Sequence, residues 1–218
     1  PSITDGESIY KRIAPRVDTF TALQFAVQAG HLDTVRTLLE LGANIEDTTP
    51  QGMTTLILAM ANVHFEVAAF LVQKGADVNT IKAGYSPLHQ VVRVRTLNIG
   101  QFPHPVATGS VSGVELAKLL LKAGSTVDAR TKKGFSDGFR GFFGTDATPF
   151  LMAAKGGDAE LMALFLANGA DPKTKNSRGT NALMAAAGVE MFNPNEDSGT
   201  NAEGLAATKI ALGLGLDP

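Results

Sequence analysis

A Gly-x-Ser-x-Gly motif lies at Gly134–Gly138, with Ser136 at its centre. In many hydrolases this pattern exposes a nucleophilic serine on a tight strand-to-helix turn, and an acid and a histidine follow later in the chain. All four histidines precede Ser136: they are His31, His64, His89 and His104. The motif therefore predicts a glycine-rich turn, and a serine hydrolase at Gly134–Gly138 is the last of the alternatives.

Alternating oxygen-bearing side chains near the C-terminus suggest calcium chemistry. They are Asn193, Asn195, Asp197 and Glu203. An EF-hand loop needs glycine at its sixth position and glutamate at its twelfth, but these positions hold Ser198 and Gly204. An Asx-rich turn is the better interpretation, and a calcium- or small-ligand-binding protein that uses the inter-helix insertions is the second functional hypothesis.

The histidines do not have the spacing of a metal site. His31 and His64 occupy equivalent positions of a repeat, and the chain has no cysteine. Without HxH, HExxH or thiolate ligands, we predict no metal site. Gly138, Gly141 and Gly144 also fail to match a nucleotide-binding loop. We therefore expect no catalytic residue and no cofactor.

A basic and aromatic segment surrounds the Gly-x-Ser-x-Gly motif. Arg130, Lys132, Lys133 and Arg140 alternate with four of the chain's 12 phenylalanines, at positions 135, 139, 142 and 143. Arginine and aromatic side chains dominate binding hot spots, which makes Phe139, Arg140 and Phe142 candidates for partner contact. The alternative is that these rings fold back over a neighbouring element, because four exposed phenylalanines would lower solubility.

Composition limits the classes of partner. The 218 residues carry 19 Lys and Arg against 21 Asp and Glu, a net charge of −2, which argues against nucleic acid. The longest apolar run has seven residues, well short of the roughly 20 that a membrane span requires. We expect a soluble, monomeric protein without membrane insertion.

Two ladders of short motifs repeat in fixed phase. One ends in glycine, at Gly42, Gly75, Gly124, Gly169 and Gly215. The first interval sets the basic repeat length, and each of the three later intervals is longer by an insertion, so a repeat protein is predicted. The other ladder opens with Thr21, Thr54, Ser86, Thr148 and Asn181, residue types that cap helix N-termini.

Each ladder predicts one helix of a repeated pair. Pro87 and Pro149 fall at the first helical position, where a missing N–H is tolerated. Leu or Phe stands two residues after each cap, which predicts a buried face. The glycines suit the left-handed conformation that ends a second helix.

These residues resemble the ankyrin family: SPLH at Ser86–His89, TPF at Thr148–Phe150, and GAN or GAD after the second helices. The resemblance implies an all-α ankyrin-repeat solenoid of about five stacked helix–turn–helix units with finger loops and three insertions. The enlarged repeats are similar to those of some bacterial ankyrin-repeat proteins, many of them exported, and this similarity favours an exported or periplasmic location.

The resemblance sets the expected boundaries. They are an N-terminal capping segment at 1–18, repeat 1 at 19–51, repeat 2 at 52–83, repeat 3 with two insertions at 84–146, repeat 4 at 147–178, and repeat 5 with one insertion at 179–218, which either ends in a cap or is truncated. The insertions of repeats 3 and 5 fall between their two helices, and the basic, aromatic one falls in a finger loop.

Function is expected on the concave groove that stacked repeats form. In the family's pattern, the residue before each helix cap faces this groove, here Phe20, Met53 and Tyr85. Further along the first helices, the predicted outward row is Gln28, Asn62, Arg93 and Lys155. We predict a non-catalytic module that binds another protein on this groove and the finger loops. The alternative for Phe20 and Tyr85 is that they pack the finger loops.

Overall fold

The protein is represented by a computed structural model that describes residues 20–96, 107, 109–132, 145–189 and 200–217. These residues contain ten α-helices and no strand, with one isolated bridge between Thr48 and Thr54. The helices are α1 Ala22–Gln28, α2 Leu32–Glu40, α3 Thr55–Ala61, α4 Phe65–Gln73, α5 Pro87–Thr96, α6 Gly113–Lys122, α7 Pro149–Lys155, α8 Ala159–Ala167, α9 Ala182–Ala186 and α10 Asn201–Gly213.

The first helix of each pair begins where the Thr, Ser and Asn ladder predicts. At α1, α3, α7 and α9 the capping side chain accepts the backbone N–H three residues later, at 3.3, 3.4, 3.2 and 2.9 Å. These bonds satisfy donors that have no partner within the helix. α5 and α7 begin at Pro87 and Pro149, so the predicted helix starts are confirmed.

Glycine ends the second helix of every pair. Gly42, Gly75, Gly124, Gly169 and Gly215 have φ angles of 91, 89, 94, 86 and 70°. A side chain strains the backbone in this left-handed region, whereas glycine adopts it freely. The five glycines therefore turn the chain from one helix pair into the next loop.

The helices form two stacked layers. First helices pack on first helices (α1 on α3, α3 on α5, α5 on α7, α7 on α9), and each also packs on its own second helix. The residue two after each cap lies in the core: Leu23, Leu56, Leu88, Phe150 and Leu183 are all buried. Burying one such side chain contributes roughly 1.5–3 kcal/mol, so this predicted row holds the layers together.

Polar contacts fix the repeats to one another as well. Arg95 at the end of α5 donates from Nε to Asp158 Oδ2 at 2.8 Å and from Nη2 to Glu160 Oε2 at 3.2 Å. Asp158 is also the N-cap of α8, because its Oδ1 accepts the N–H of Leu161 at 3.0 Å. One carboxylate thus caps a helix and joins repeat 3 to repeat 4.

The residues that precede α6 are anchored on repeat 2. Glu66 Oε1 accepts the N–H and the hydroxyl of Ser110, at 2.8 and 3.1 Å, and these bonds lower the pKa of the Glu66 carboxyl. Gly109 has a φ of 94°, and a Cβ there would come within 2.2 Å of the Glu66 carboxyl carbon. The chain therefore returns from the inter-helix insertion of repeat 3 at a fixed point.

The last helix starts earlier than the repeat pattern suggests. The pattern places the inter-helix insertion of repeat 5 up to Gly204, but α10 begins at Asn201. The cause is a capping box: Thr200 Oγ1 accepts the N–H of Glu203, and the Glu203 carboxylate accepts the N–H of Thr200 at 2.6 Å. This box adds a turn, which makes α10 a 13-residue helix.

Candidate partner-binding surface

The positions before the helix caps differ in exposure along the stack. Phe20 and Met53 are half-buried and pack against the core with part of each side chain uncovered. The ring of Phe20 lies 5.4 Å from that of Phe25 in α1, in a tilted arrangement that holds it in place. Repeats 1 and 2 therefore present fixed apolar groups at this register.

Tyr85, the third residue of that row, does not act as an exposed anchor. Its relative exposure is 9%, and it already takes part in an interaction. Ala147 and Thr180, at the same register in repeats 4 and 5, are also buried. Tyr85 therefore packs into the core and exposes little surface at this register, so the expected exposed anchor is not seen in repeat 3, and its part in partner contact stays a prediction.

Asn62 lies outside the predicted outward row because of a register error. Gln28, Arg93 and Lys155 each stand seven residues after their helix cap, whereas Asn62 stands eight residues after Thr54. Asn62 is the C-cap of α3, and its Nδ2 donates to the Leu58 carbonyl oxygen at 2.9 Å. The true equivalent is Ala61, so repeat 2 contributes no polar side chain at this position.

The remaining members of the outward row lie where first helices end. Gln28 is exposed, while Arg93 and Lys155 are half-buried and each takes part in an interaction. Because α1, α3, α5 and α7 stack side by side, equivalent positions form a line across them. This line carries two cations and no carboxylate, and it lies at the opposite end of the first helices from Phe20 and Met53.

The finger-loop candidates Phe139, Arg140 and Phe142 lie outside the described residues, but the base of their segment is described. Thr131 and Ala147 pair through Thr131 N to Ala147 O at 3.1 Å and Ala147 N to Thr131 Oγ1 at 3.1 Å. Arg130 Nη1 donates to the carbonyl oxygens of Asp146 and Lys175, at 2.8 and 2.9 Å. The two ends of the segment thus meet at one fixed point.

The calcium candidates fall into two groups. Asn193, Asn195 and Asp197 lie outside the described residues, whereas Glu203 is described and its carboxylate closes the capping box of α10. Among the residues that the structure describes, no group of three or more His, Asp or Glu side chains is arranged to hold a metal ion. The role that the structure gives to Glu203 is therefore in helix capping.

Of the serine and histidine residues considered for catalysis or metal binding, His64 is one whose contacts the structure describes. Ser136 and the rest of Gly134–Gly138 lie outside the described residues, as does His104. His64 lies over Gly30, and its Nε2 is 3.0 Å from the Gln28 carbonyl oxygen in repeat 1. This contact makes His64 a link between repeats 1 and 2.

His89 joins repeat 3 to repeat 4 from a fully buried position. Its Nδ1 accepts from Ser86 N at 3.1 Å and lies 2.7 Å from Ser86 Oγ, and its Nε2 is 3.0 Å from the Ala147 carbonyl oxygen. This pattern requires a neutral ring that carries its proton on Nε2. Burial lowers the pKa of His89 to about 4, although the Ala147 bond acts in the opposite direction.

Gln90, which is not among the residues expected from the sequence motifs, has an unusual environment. Its side chain is fully buried in α5, and neither Oε1 nor Nε2 has a hydrogen-bond partner among the described residues. A signal was present in the sequence, because the other repeats place Phe25, Leu58, Met152 and Ala185 at this register. An amide in an otherwise apolar row beneath the first-helix layer marks this part of repeat 3 as unusual.

Within the described part of the chain, no helix combines the length and the apolar character that crossing a bilayer requires. The longest, α10, has 13 residues.

The geometry defines a class of protein, a solenoid of stacked helix–turn–helix repeats. Residues 6–82 match the family model described as Ankyrin repeats (3 copies), and the resemblance to ankyrin repeats is confirmed. The fold is that of an all-α ankyrin solenoid. Ankyrin repeats are generally protein–protein interaction modules and are typically non-catalytic.

Three curated relatives illustrate the range of proteins that share this similarity. The Caenorhabditis elegans "Ankyrin repeat and KH domain-containing protein mask-1" is 29% identical over 166 residues, 76% of this chain and 5% of the relative. The Saccharomyces cerevisiae "Probable 26S proteasome regulatory subunit p28" is 34% identical over 84 residues, 37% of this chain and 36% of the relative. The Danio rerio "Putative palmitoyltransferase ZDHHC13" is 26% identical over 166 residues, 76% of this chain and 22% of the relative.

These relatives limit what can be concluded about this chain's activity and about its origin. The chain spans between 5% and 36% of their lengths, so their whole-protein activities belong to those proteins. All three relatives are eukaryotic, and they do not support the expectation of a bacterial, exported or periplasmic protein.

Proposed function

We propose that this protein is a non-catalytic binding module that holds a segment of another protein across the first helices of repeats 1–4. The observation that carries the proposal is the pair Phe20 and Met53. Both sit at the same register, pack against the core and leave part of an apolar side chain uncovered. Groups that are ordered before binding lose little conformational entropy on binding, which favours their use as anchors.

The outward row gives the partner its expected chemistry. Gln28, Arg93 and Lys155 place amide and cationic groups one helix length away from the two apolar anchors, and this row includes no acidic residue. A partner segment that combines apolar side chains with carboxylates would match this surface, since charge complementarity guides both the approach and the register of a complex. The finger segment with Phe139, Arg140 and Phe142 is a second contact region in this proposal.

The test is affinity capture from cell extract with two variants. Each variant replaces two apolar residues by Ser and one cationic residue by Glu. The groove variant carries Phe20→Ser, Met53→Ser and Arg93→Glu. The control carries Leu205→Ser, Leu212→Ser and Lys122→Glu, at exposed positions of second helices. Both must show thermal unfolding within a few degrees of the wild type before they are compared.

We expect a specific protein that binds the wild type and the control but not the groove variant. Loss of two anchors and reversal of one charge should weaken binding at least a hundredfold, because a few anchors carry most of the energy of an interface. A partner that stays on the groove variant and leaves the control would move the site to the second helices and refute the proposal.

A further inference from the structure

A pocket lies at the junction of repeats 1 and 2, on the second-helix side of the stack. It has a volume of about 280 Å³ and is lined by Arg36, Leu39 and Glu40 of α2, Ala43 and Ile45 of the following loop, and Lys74 at the end of α4. First helices contribute none of these lining residues, so the pocket is separate from the proposed groove.

Two cations and one aromatic ring define its chemistry. The guanidinium carbon of Arg36 lies 4.7 Å from the centroid of the Phe70 ring, and Lys74 Nζ lies 5.5 Å from the same centroid. Phe70 is buried, while Arg36 and Lys74 are exposed. The ring therefore holds two positive groups in place through cation–π attraction.

Neither cation has an ion-pair partner among the described residues. No carboxylate of the described residues lies within ion-pair distance of Arg36 or Lys74, although the pocket contains Glu40. An exposed arginine and lysine fixed on one ring keep their hydrogen-bond donors for an external acceptor. The apolar side chains of Leu39, Ala43 and Ile45 lie beside them.

The repeat itself does not require this arrangement. The positions equivalent to Arg36, Lys74 and Phe70 can be read at the other three junctions, by counting from the helix-ending glycines. They are Ala69, Ala123 and Leu119 at the second junction, Lys118, Asn168 and Leu164 at the third, and Ala163, Leu214 and Ile210 at the fourth. In this sequence the first junction alone places two cations around an aromatic ring, so stacking of the repeats does not explain them.

From this geometry we propose that the pocket is a second binding site, for a short peptide segment of a partner protein in which an apolar side chain is flanked by carboxylates. The apolar side chain lies against Leu39, Ala43 and Ile45, and the carboxylates accept from Arg36 and Lys74. The volume of about 280 Å³ is near the lower end of the range for ligand pockets, roughly 300 Å³, so it admits a short peptide segment. The net charge of −2 disfavours nucleic acid as the occupant.

The experiment is an NMR titration of the ¹⁵N-labelled protein with the blocked peptide acetyl-Gly-Asp-Leu-Asp-Gly-amide. We expect shifts of the backbone amides in α2, residues 41–46 and Lys74. The variant R36Q/K74Q should bind at least tenfold more weakly, while the matched control K122Q/K173Q, at exposed lysines elsewhere, should bind like the wild type. Charge reversal in R36E/K74E should transfer binding to the peptide with Lys in place of both Asp residues.

Three results would overturn the site. One is the absence of shifts at millimolar peptide, and another is equal binding by R36Q/K74Q. The third is that inorganic phosphate, or the peptide with Gly in place of Leu, gives the same shifts at the same concentration, because the pocket would then be a simple anion site. Since the groove variant of the preceding section leaves this pocket intact, failure here and failure of the groove proposal are distinguishable.

Discussion

Gln90 shows how one residue can depart from the pattern of its repeat. A buried amide with no hydrogen-bond partner costs roughly 1–3 kcal/mol, and Gln90 leaves both its donor and its acceptor unused among the described residues. Repeat 4 has Met152, a side chain of similar volume, at the same register. The amide at Gln90 is therefore expected to lower stability relative to an apolar side chain of the same volume.

We predict that Gln90→Met raises the free energy of unfolding by about 1–2 kcal/mol, because it removes an unsatisfied polar group and keeps the volume. Urea denaturation followed by circular dichroism measures the change. Gln73→Met, which replaces an exposed glutamine at the end of α4, is the matched control and should change stability little. A Gln90→Met protein no more stable than the wild type would show that the amide has a partner in solution.

The helices themselves follow closely from the sequence. The caps, the proline starts, the glycine ends and the buried Leu or Phe row were all predictable because each is a local requirement of one helix. The exposure of Tyr85 was not, since it depends on tertiary packing that spacing does not reveal. The pocket at Arg36 and Lys74 was also out of reach, because its parts belong to different repeats and meet only when α2 and α4 stack.

His89 connects two elements and makes their contact sensitive to pH. Its pKa is lowered from 6.5 to about 4, mainly by burial, so the folded state holds the neutral ring while the unfolded chain takes up a proton below pH 6.5. The stabilisation is fully present above pH 6.5 and is lost as the pH falls towards 4. Between pH 6.5 and 5 this histidine alone should cost about 2 kcal/mol.

We predict a flatter dependence of stability on pH between 7 and 5 in His89→Gln. Glutamine occupies the same register in repeat 1, where Gln24 Oε1 accepts the Thr21 N–H at 3.0 Å, so the change is compatible with the helix start. Denaturation midpoints at several pH values give the slope for each protein. A variant with the wild-type slope would mean that His89 does not set the pH response of the repeat 3–4 junction.

At the scale of the whole molecule, burial is unevenly distributed along the stack. α4 has seven buried residues and α3, α5 and α7 have six each, while α2 has Val35 alone and α10 has Ala207 and Ala211. Repeat proteins hold together through contacts between neighbours, so a helix with few buried residues opens at low cost.

We predict uneven amide hydrogen exchange, with the strongest protection in α3, α4, α5 and α7 and the weakest in α2 and α10. Exchange followed by mass spectrometry of peptic fragments would resolve these helices. Protection of α2 equal to that of α4 would contradict this view of the stack. If the acidic peptide binds the pocket beside α2, its addition should slow exchange in that helix specifically.

The hydrogen bonds between Thr131 and Ala147, together with the Arg130 bond to the Asp146 carbonyl oxygen, close the base of the finger segment. Because the segment leaves and re-enters the stack at one point, its length does not change the packing of repeat 3 on repeat 4. The entropy cost of a longer loop grows only with the logarithm of its length. The intervening segment is therefore a place where evolution, or a protein engineer, can exchange one loop sequence for another while the solenoid stays the same.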